Sequence, residues 1–153
     1  MRISIVSGEA EGPTKLNAFD NALTDAGIGD VNLIKVSSML EKNTEVEDLP
    51  KLKPGSMVNC VLSEITSSNE GDEIVACVAI AIGDTLGCAV ENSAINSSKD
   101  TIEKETIEML KYMMNKRNVP INDLIVESKS HTVKNIGSVV ASVVYLSDDI
   151  ILE

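Results

Sequence analysis

Residues 31–39 read Val-Asn-Leu-Ile-Lys-Val-Ser-Ser-Met, an apolar and β-branched run that ends on two adjacent serines, Ser37 and Ser38. Such a run is typical of a β-strand. The Ser-Ser pair occurs twice more, at 67–68 and at 97–98, but there it lies in a polar turn and at an expected helix start. Only the pair at 37–38 lies at the end of a predicted strand, which makes this junction the candidate functional feature of the chain.

The length, the composition and the net charge limit the classes of protein to which this chain can belong. The chain has 153 residues, of which 43% are hydrophobic, and this predicts one folded domain over residues 1–153. The formal net charge of −11 argues against binding to nucleic acid or to an anionic membrane surface, because both need clustered lysine and arginine. The sequence has no apolar run of about 18 residues, so no membrane-spanning helix is expected.

The cysteines and the amino-terminal residues bear on the compartment. Cys60, Cys77 and Cys88 form an odd set whose spacing matches no zinc-binding pattern, so we expect buried thiols and no metal site. The start at Met1–Val6 is too short for a signal peptide and leads directly into a strand. The sequence therefore predicts a protein of the reducing cytoplasm.

Hydrophobic periodicity predicts a mixture of strands and two helices. The predicted strands cover residues 2–7, 31–37, 57–66, 73–82, 86–95, 123–133 and 137–147, and the predicted helices cover 15–26 and 99–117. Residues 40–55, which contain two prolines and a mixed charge run, are expected to form a surface connection.

The predicted loop over residues 8–14 lies between a strand and a helix, as a phosphate-binding loop does. It carries Glu9 and Glu11, whose charges repel phosphate, and it lacks the Gly-Lys-Ser/Thr ending of such loops. The sequence therefore argues against a nucleotide site there.

The first predicted helix places a carboxylate beside its apolar face. On a helical wheel Leu16, Phe19 and Leu23 fall on one side, and Asp20 lies about 40° from Leu16. A carboxylate at such an edge either tilts into water or meets a cation, and the spacing leaves both open. Gly27 predicts a left-handed cap after the helix.

The second helix is predicted to be capped by Ser98. Its expected core stripe consists of Ile102, Met109, Leu110 and Met113.

Two further residues stand out on the predicted strands. On the strand over 86–95, Glu91 shares a face with Gly87 and Ala89, whose small size leaves room for a ligand or another subunit. A solvated glutamate is the alternative. The lone histidine, His131, is expected to be structural because no serine or cysteine motif accompanies it.

With these residues in view, the chain resembles the archaeal and bacterial pyruvoyl-dependent arginine decarboxylases. The matching segments, spread over nearly the whole chain, are Leu16-Asn-Ala-Phe-Asp20, Ala26-Gly-Ile-Gly29, Val31-Asn-Leu-Ile34, Ser37-Ser38, Leu49-Pro-Lys-Leu52, the Glu91 strand, and His131-Thr-Val133 followed by Gly137. The resemblance implies an α+β fold, a layered sandwich of mainly antiparallel β-sheets flanked by helices. It also implies homotrimers with active sites between subunits.

The resemblance further implies a precursor that cuts itself. The Ser38 hydroxyl would attack the Ser37 carbonyl, the ester would undergo elimination, and hydrolysis of the resulting dehydroalanine would release ammonia. A β chain of residues 1–37 and an α chain of residues 38–153 would result, the latter beginning with a covalent pyruvoyl group. That group would act as the electron acceptor in place of pyridoxal phosphate, for which the chain has no recognisable phosphate cradle, and no metal is implied.

The implied reaction converts L-arginine to agmatine and CO2 in polyamine biosynthesis. Glu91 matches the family's proton donor, Asn32 a residue near the pyruvoyl group, and Asp20 the position that binds the distal guanidinium. The side chains and backbone expected around the substrate are those of Leu16, Phe19, Leu23, Gly29 and Val31.

Strand geometry adds one hypothesis of its own. Asn32 and Ser38 are six residues apart on one predicted strand, roughly 20 Å, so they cannot touch within one straight strand. If both serve one site, Asn32 and Asp20 reach Ser38 of a neighbouring protomer. Two other functions remain open: the same chemistry on another amino acid, and an uncleaved, non-catalytic homologue that binds a cationic amine.

Overall fold

The computed structural model describes residues 1–153. Its elements are β1 (Arg2–Glu11), α1 (Lys15–Asp25), β2 (Asn32–Lys35), β3 (Met39–Glu41), β4 (Glu45–Val46), β5 (Met57–Ser67), β6 (Glu73–Ile82), β7 (Leu86–Ile95), α2 (Lys99–Lys116), β8 (Asp123–Thr132), β9 (Gly137–Leu146) and a 3-10 turn at Asp148–Ile150. Sheet A has the strand order β2-β5-β9-β1-β4, and sheet B has the order β3-β7-β6-β8. The pairs β1–β4 and β2–β5 are parallel, and the others are antiparallel.

The two sheets pack face to face, and each carries one helix on its outer face. A cluster of 12 buried residues, among them Ile3, Val61 and Val78, fills the space between the sheets. A second cluster of 12 packs α1 against sheet A, and two smaller clusters pack α2 against sheet B. The predicted α+β sandwich of mainly antiparallel sheets is therefore confirmed. Neither helix is long and apolar enough to cross a membrane.

The first strand is longer than predicted. It extends through Glu11, so residues 8–11 belong to β1 and not to the loop expected over 8–14. β1 pairs with β9 along its whole length, including Gly8 with Val140. A Cβ at Gly8 would lie 2.3 Å from the Ala22 carbonyl oxygen, so this glycine lets α1 cross the strand closely rather than marking a loop.

The face that each helix buries agrees only in part with the one predicted. α1 packs through Ala18, Ala22 and Leu23, whereas Leu16 is 73% exposed. Small alanines are buried because the helix lies against the backbone of β1 at Gly8 and of Gly12, which follows the strand. α2 buries Ile102 and Leu110, as predicted, together with Thr106 and Met114. Met113 is half-buried against the same core, whereas Met109 was wrong as a core residue because it is 41% exposed.

The caps follow the sequence more closely. The Ser98 hydroxyl accepts the Thr101 N–H at the start of α2, as predicted. Gly27 follows α1 with a φ of 86°, the left-handed conformation expected of a helix-ending glycine.

The connection over 40–55 is not wholly irregular. It contains the last residues of β3 and all of β4, which add one short edge strand to each sheet. The chain passes from sheet A to sheet B between β2 and β3, and the serine pair lies at that crossing.

Candidate active site

The Ser37–Ser38 peptide bond lies in the crossover between the two sheets. On the sheet A side, the Val36 N–H donates to the Cys60 carbonyl of β5 at 3.0 Å. On the sheet B side, the Ser38 carbonyl accepts the Ala89 N–H of β7 at 2.8 Å. The strand predicted to run to Ser37 ends at Lys35, because the chain turns there toward the second sheet. The bond between the serines is thus anchored on both sides while belonging to neither sheet.

Glu91 lies on the strand that anchors Ser38. Cys88 and Val90 of β7 pack beneath α2, whereas Ala89 belongs to the cluster between the sheets, which confirms the predicted alternation. Glu91 follows Ala89 by two residues, roughly 7 Å along the strand, and shares its face. The proposed proton donor and the serine junction are therefore neighbours.

Glu91 lines a polar cleft between β2 and β5 of sheet A and β7 of sheet B. The cleft has a volume of about 300 Å³ and is lined by Lys35, Leu62, Ser63, Glu64, Glu91, Asn92 and Ser93. Glu91 as a residue is exposed, but the cleft walls desolvate its carboxyl group, and this burial raises its pKa above the ordinary value. The Lys35 cation and the Leu62 N–H oppose that rise, and the nearby Glu64 adds to it. A carboxyl that keeps its proton to higher pH suits a general acid.

Tyr145 is a residue at the junction that the sequence reasoning missed. It lies on β9 of sheet A, and its hydroxyl reaches across to donate to the Met39 carbonyl of β3 at 2.8 Å. Burial raises the pKa of this phenol, and the neighbouring Cys60 raises it further, so the hydroxyl stays a donor. The only signal available in the sequence was its rarity, since the chain has two tyrosines.

The three cysteines are all free and buried, as predicted. Burial raises the pKa of each thiol, so these groups are protonated and unreactive in the folded chain.

The residues predicted to bind the substrate gather around α1 and the start of β2. We call them the α1 cluster, which comprises Leu16, Phe19, Asp20, Leu23, Gly29, Val31 and Asn32. Leu23 is buried, and Phe19 and Val31 pack against the same core. Leu16 lies on the surface, and so does Asp20, whose carboxylate forms no ion pair within the chain.

Two members of the α1 cluster, Gly29 and Asn32, fix the backbone of the turn that follows α1. A Cβ at Gly29 would lie 2.3 Å from the Thr24 hydroxyl, which itself donates to the Asp20 carbonyl. The Asn32 side chain donates to the Gly55 carbonyl at 3.1 Å. These contacts hold the turn after α1 against the loop that precedes β5.

The α1 cluster and the serine junction lie toward opposite ends of β2. Asn32 pairs with Met57 and Lys35 pairs with Cys60, so β2 follows β5 in continuous register. Ser38 lies beyond the far end of that strand. The structure therefore brings Ser37, Ser38 and Glu91 together, and it places Asn32 at the other end of β2, beside the turn that follows α1.

His131 lies between two carboxylates, close to the connection that runs from β8 of sheet B to β9 of sheet A. Its Nε2 is 2.6 Å from Glu11, and its Nδ1 is 3.4 Å from Glu9. Glu11 also accepts the Asn135 N–H at 2.7 Å and the Lys134 N–H at 3.3 Å. The pKa of Glu11 is lowered: burial alone would raise it, but the His131 contact and the two backbone N–H groups outweigh that effect. These contacts tie the β8–β9 connection to β1.

The serine pair in the crossover of a two-sheet sandwich, next to a carboxyl of raised pKa, is the candidate active site. A family model described as pyruvoyl-dependent arginine decarboxylase matches residues 2–149. The chain belongs to the pyruvoyl-dependent arginine decarboxylase family, and membership implies a covalent pyruvoyl cofactor.

Archaeal relatives match over most of their length. A pyruvoyl-dependent arginine decarboxylase of Methanothermobacter thermautotrophicus is 56% identical over 146 residues, covering 95% of this chain and 97% of the relative. Proteins of the same description from Methanococcus aeolicus and Methanocaldococcus jannaschii are 40% and 36% identical, each over 92% of this chain and over 87% and 86% of the relatives.

Proposed function

We propose that the chain cuts itself between Ser37 and Ser38 and then decarboxylates L-arginine to agmatine and CO2. In the processing reaction, the Ser38 hydroxyl attacks the Ser37 carbonyl and the amide becomes an ester. Elimination leaves residues 1–37 with a carboxylate and residue 38 as a dehydroalanine. Hydrolysis of that residue consumes one water and releases one ammonia, which leaves a pyruvoyl group at position 38.

The observation that carries this proposal is the position of the serine pair in the crossover between the sheets. Of the elements before the cut, β1 and β2 are strands of sheet A and α1 packs on that sheet. β1 pairs with β9 over ten residues. The two fragments therefore stay together through the β1–β9 and β2–β5 ladders and the packing of α1. Cleavage cuts one of the four connections that pass between the sheets and leaves the other three and the strand pairing in place.

The residues at the junction fit a pyruvoyl group at position 38. The Ala89 N–H is already bonded to the Ser38 carbonyl, which would become the amide next to the ketone. When present, the pyruvoyl carbonyl supplies a covalent anchor for the substrate amine and an acceptor for the electron pair left as CO2 departs. Glu91, on the same strand, returns a proton to the carbon that lost CO2, and its raised pKa keeps that proton available.

The preference for arginine is assigned to the α1 cluster. Asp20 is an exposed carboxylate without an ion pair in its own chain, and a guanidinium matches a carboxylate with two parallel hydrogen bonds. Phe19, Leu23 and Leu16 supply apolar surface for the methylene stem. The Gly29 and Val31 backbone offers acceptors for the remaining guanidinium N–H groups.

Because the α1 cluster and the junction lie toward opposite ends of β2, we propose that two protomers build each site, in a homotrimer of cleaved protomers. Asp20 and Asn32 of one protomer face residue 38 of the next. Mixing Asp20→Asn protomers with Ser38→Ala protomers is expected to restore part of the activity that each lacks alone. Verified mixed oligomers without activity would contradict shared sites.

Denaturing electrophoresis tests the processing step. The unaltered chain is expected to give two fragments, of which the smaller contains 37 of the 153 residues. Ser38→Ala should give one band, whereas the control Ser68→Ala, in another Ser-Ser pair, should be cut normally. A single band from the unaltered chain would favour the non-catalytic homologue.

Substrate profiling tests the reaction. Carbon dioxide release from arginine is expected to exceed release from lysine, ornithine and neutral amino acids. A preference for one of those substrates would leave the chemistry in place and overturn the assignment of Asp20. We also place the reaction in the cytoplasm, as a step of polyamine biosynthesis, since three free thiols suit a reducing compartment.

A further inference from the structure

Residue 38 precedes a short and weakly held strand. β3 has three residues, Met39–Glu41, and lies at the edge of sheet B, where it pairs with β7 alone. Edge strands and chain ends of this length open readily, because few hydrogen bonds hold them. The orientation of residue 38 therefore depends on the contacts that fix the first residues of β3.

Besides the pairing of β3 with β7, residues 38 and 39 are each held by one hydrogen bond, and the two bonds come from different sheets. The Ala89 N–H of sheet B binds the Ser38 carbonyl at 2.8 Å, and the Tyr145 hydroxyl of sheet A binds the Met39 carbonyl at 2.8 Å. The first is ordinary strand pairing. The second is a side-chain contact that spans the gap between the sheets at the point where the covalent crossover runs.

We propose that Tyr145 is a positioning residue for self-processing: its hydroxyl, through the Met39 carbonyl, holds the Ser38 side chain in line with the Ser37 carbonyl. This inference rests on the proposed function. Tyr145 acts through the main chain of residue 39 and does not touch the reacting atoms.

The ring and the hydroxyl of Tyr145 have separable tasks. The ring packs against the cluster between the sheets, and a phenylalanine would preserve that packing. Only the hydroxyl reaches β3, so its removal isolates the cross-sheet contact. The chain also supplies a matched control, since the other tyrosine, Tyr112, lies on α2 and is 71% exposed.

The test compares the rate of cleavage of freshly synthesised precursor, followed by denaturing electrophoresis. Tyr145→Phe is expected to slow the appearance of the two fragments by about 3- to 10-fold, the effect of losing one hydrogen bond that orients the reactants. Tyr112→Phe should leave the rate unchanged. Equal rates for Tyr145→Phe and the unaltered chain would overturn the inference, while absence of cleavage in the unaltered chain would overturn the proposed function and this inference with it.

A second readout separates positioning from a general structural role. In the uncut Ser38→Ala background, Tyr145→Phe is expected to accelerate amide hydrogen exchange within residues 38–41 and to leave β5, β6 and β9 as slow as before. Faster exchange throughout both sheets would identify Tyr145 as a packing residue and overturn the proposal. This readout needs neither cleavage nor activity.

Discussion

The Ala89 N–H donates to the Ser38 carbonyl at 2.8 Å, so the strand that carries Glu91 also holds the residue next to the proposed cut. Because Glu91 follows Ala89 by two residues on the same face, the distance between the proton donor and residue 38 is set by one continuous strand rather than by a loop. A catalytic pair placed in this way tolerates little change in the register of β3 against β7.

Glu91→Gln should separate processing from decarboxylation. The variant is expected to be cut between Ser37 and Ser38 as fast as the unaltered chain, because Glu91 has no part in the serine chemistry. Its kcat for arginine should fall by about 10²- to 10⁴-fold, the usual contribution of a positioned general acid. Fragment analysis and steady-state kinetics on one preparation check both statements, and a cut, fully active variant would contradict the assignment of Glu91.

Lys35→Met should move the pH profile in a defined direction. Lys35 favours the ionised form of Glu91 and so lowers its pKa, against the larger effect of burial. Removing this cation raises the pKa of Glu91 further. Since a general acid works while protonated, the loss of activity on raising the pH should begin at higher pH in the variant.

Lys53→Met serves as the control for that measurement, because Lys53 is exposed and is not among the residues lining the Glu91 cleft. Its pH profile should match that of the unaltered enzyme. A Lys35→Met profile displaced toward lower pH would contradict the proposed role of Glu91 as the acid.

Asp20→Asn should affect substrate binding and leave self-cleavage intact. Loss of a charge-assisted pair with the guanidinium is expected to raise KM for arginine by about 10- to 100-fold. Asp100→Asn, at the exposed start of α2, provides the control. An unchanged KM for Asp20→Asn would move arginine recognition elsewhere.

Most of the fold could be predicted from the sequence because its strands and helices obey simple periodicities. The predicted elements over 57–66, 73–82, 86–95, 99–117, 123–133 and 137–147 agree with the structure to within one residue at either end. The errors arose where contacts between distant parts of the chain determine the local structure. Gly8 indicates a loop by composition, but it lies in a strand because α1 needs a residue without a side chain there.

The candidate site could be predicted in its residue types but not in its arrangement. The alternation of β7 correctly placed Glu91 beside Ala89, since strand period alone fixes that relation. Nothing in the sequence reveals that the chain changes sheets between Lys35 and Met39, because pairing partners far along the chain decide it. Tyr145 was missed for the same reason, as its partner is 106 residues away.

Glu11→Gln should weaken the attachment of the β8–β9 connection to β1 and reduce the change in the free energy of unfolding between neutral and acidic pH. The pKa of Glu11 is lowered from 4.5 in the folded chain, so its contribution is present above that value and is lost as pH falls through the folded pKa. At neutral pH the free energy of unfolding should drop by about 1 kcal/mol, a small value because the carboxyl is partly exposed.

Denaturant titrations of uncut Ser38→Ala protein at neutral and acidic pH check this prediction. Glu9→Gln is the matched control, because Glu9 contacts His131 at 3.4 Å and should contribute less. Equal losses in the two variants would contradict the assignment of Glu11 as the main contact that holds the β8–β9 connection.

The central claim is that the Ser37–Ser38 bond breaks and leaves a ketone at position 38. Intact-mass spectrometry of the purified, active protein tests it most directly. Self-cleavage with pyruvoyl formation predicts two fragments. Residues 1–37 should have a normal carboxyl terminus, and residues 38–153 should be lighter by one ammonia than a chain beginning with serine. An active protein of undivided mass, or a larger fragment with an ordinary amino-terminal serine, would contradict it.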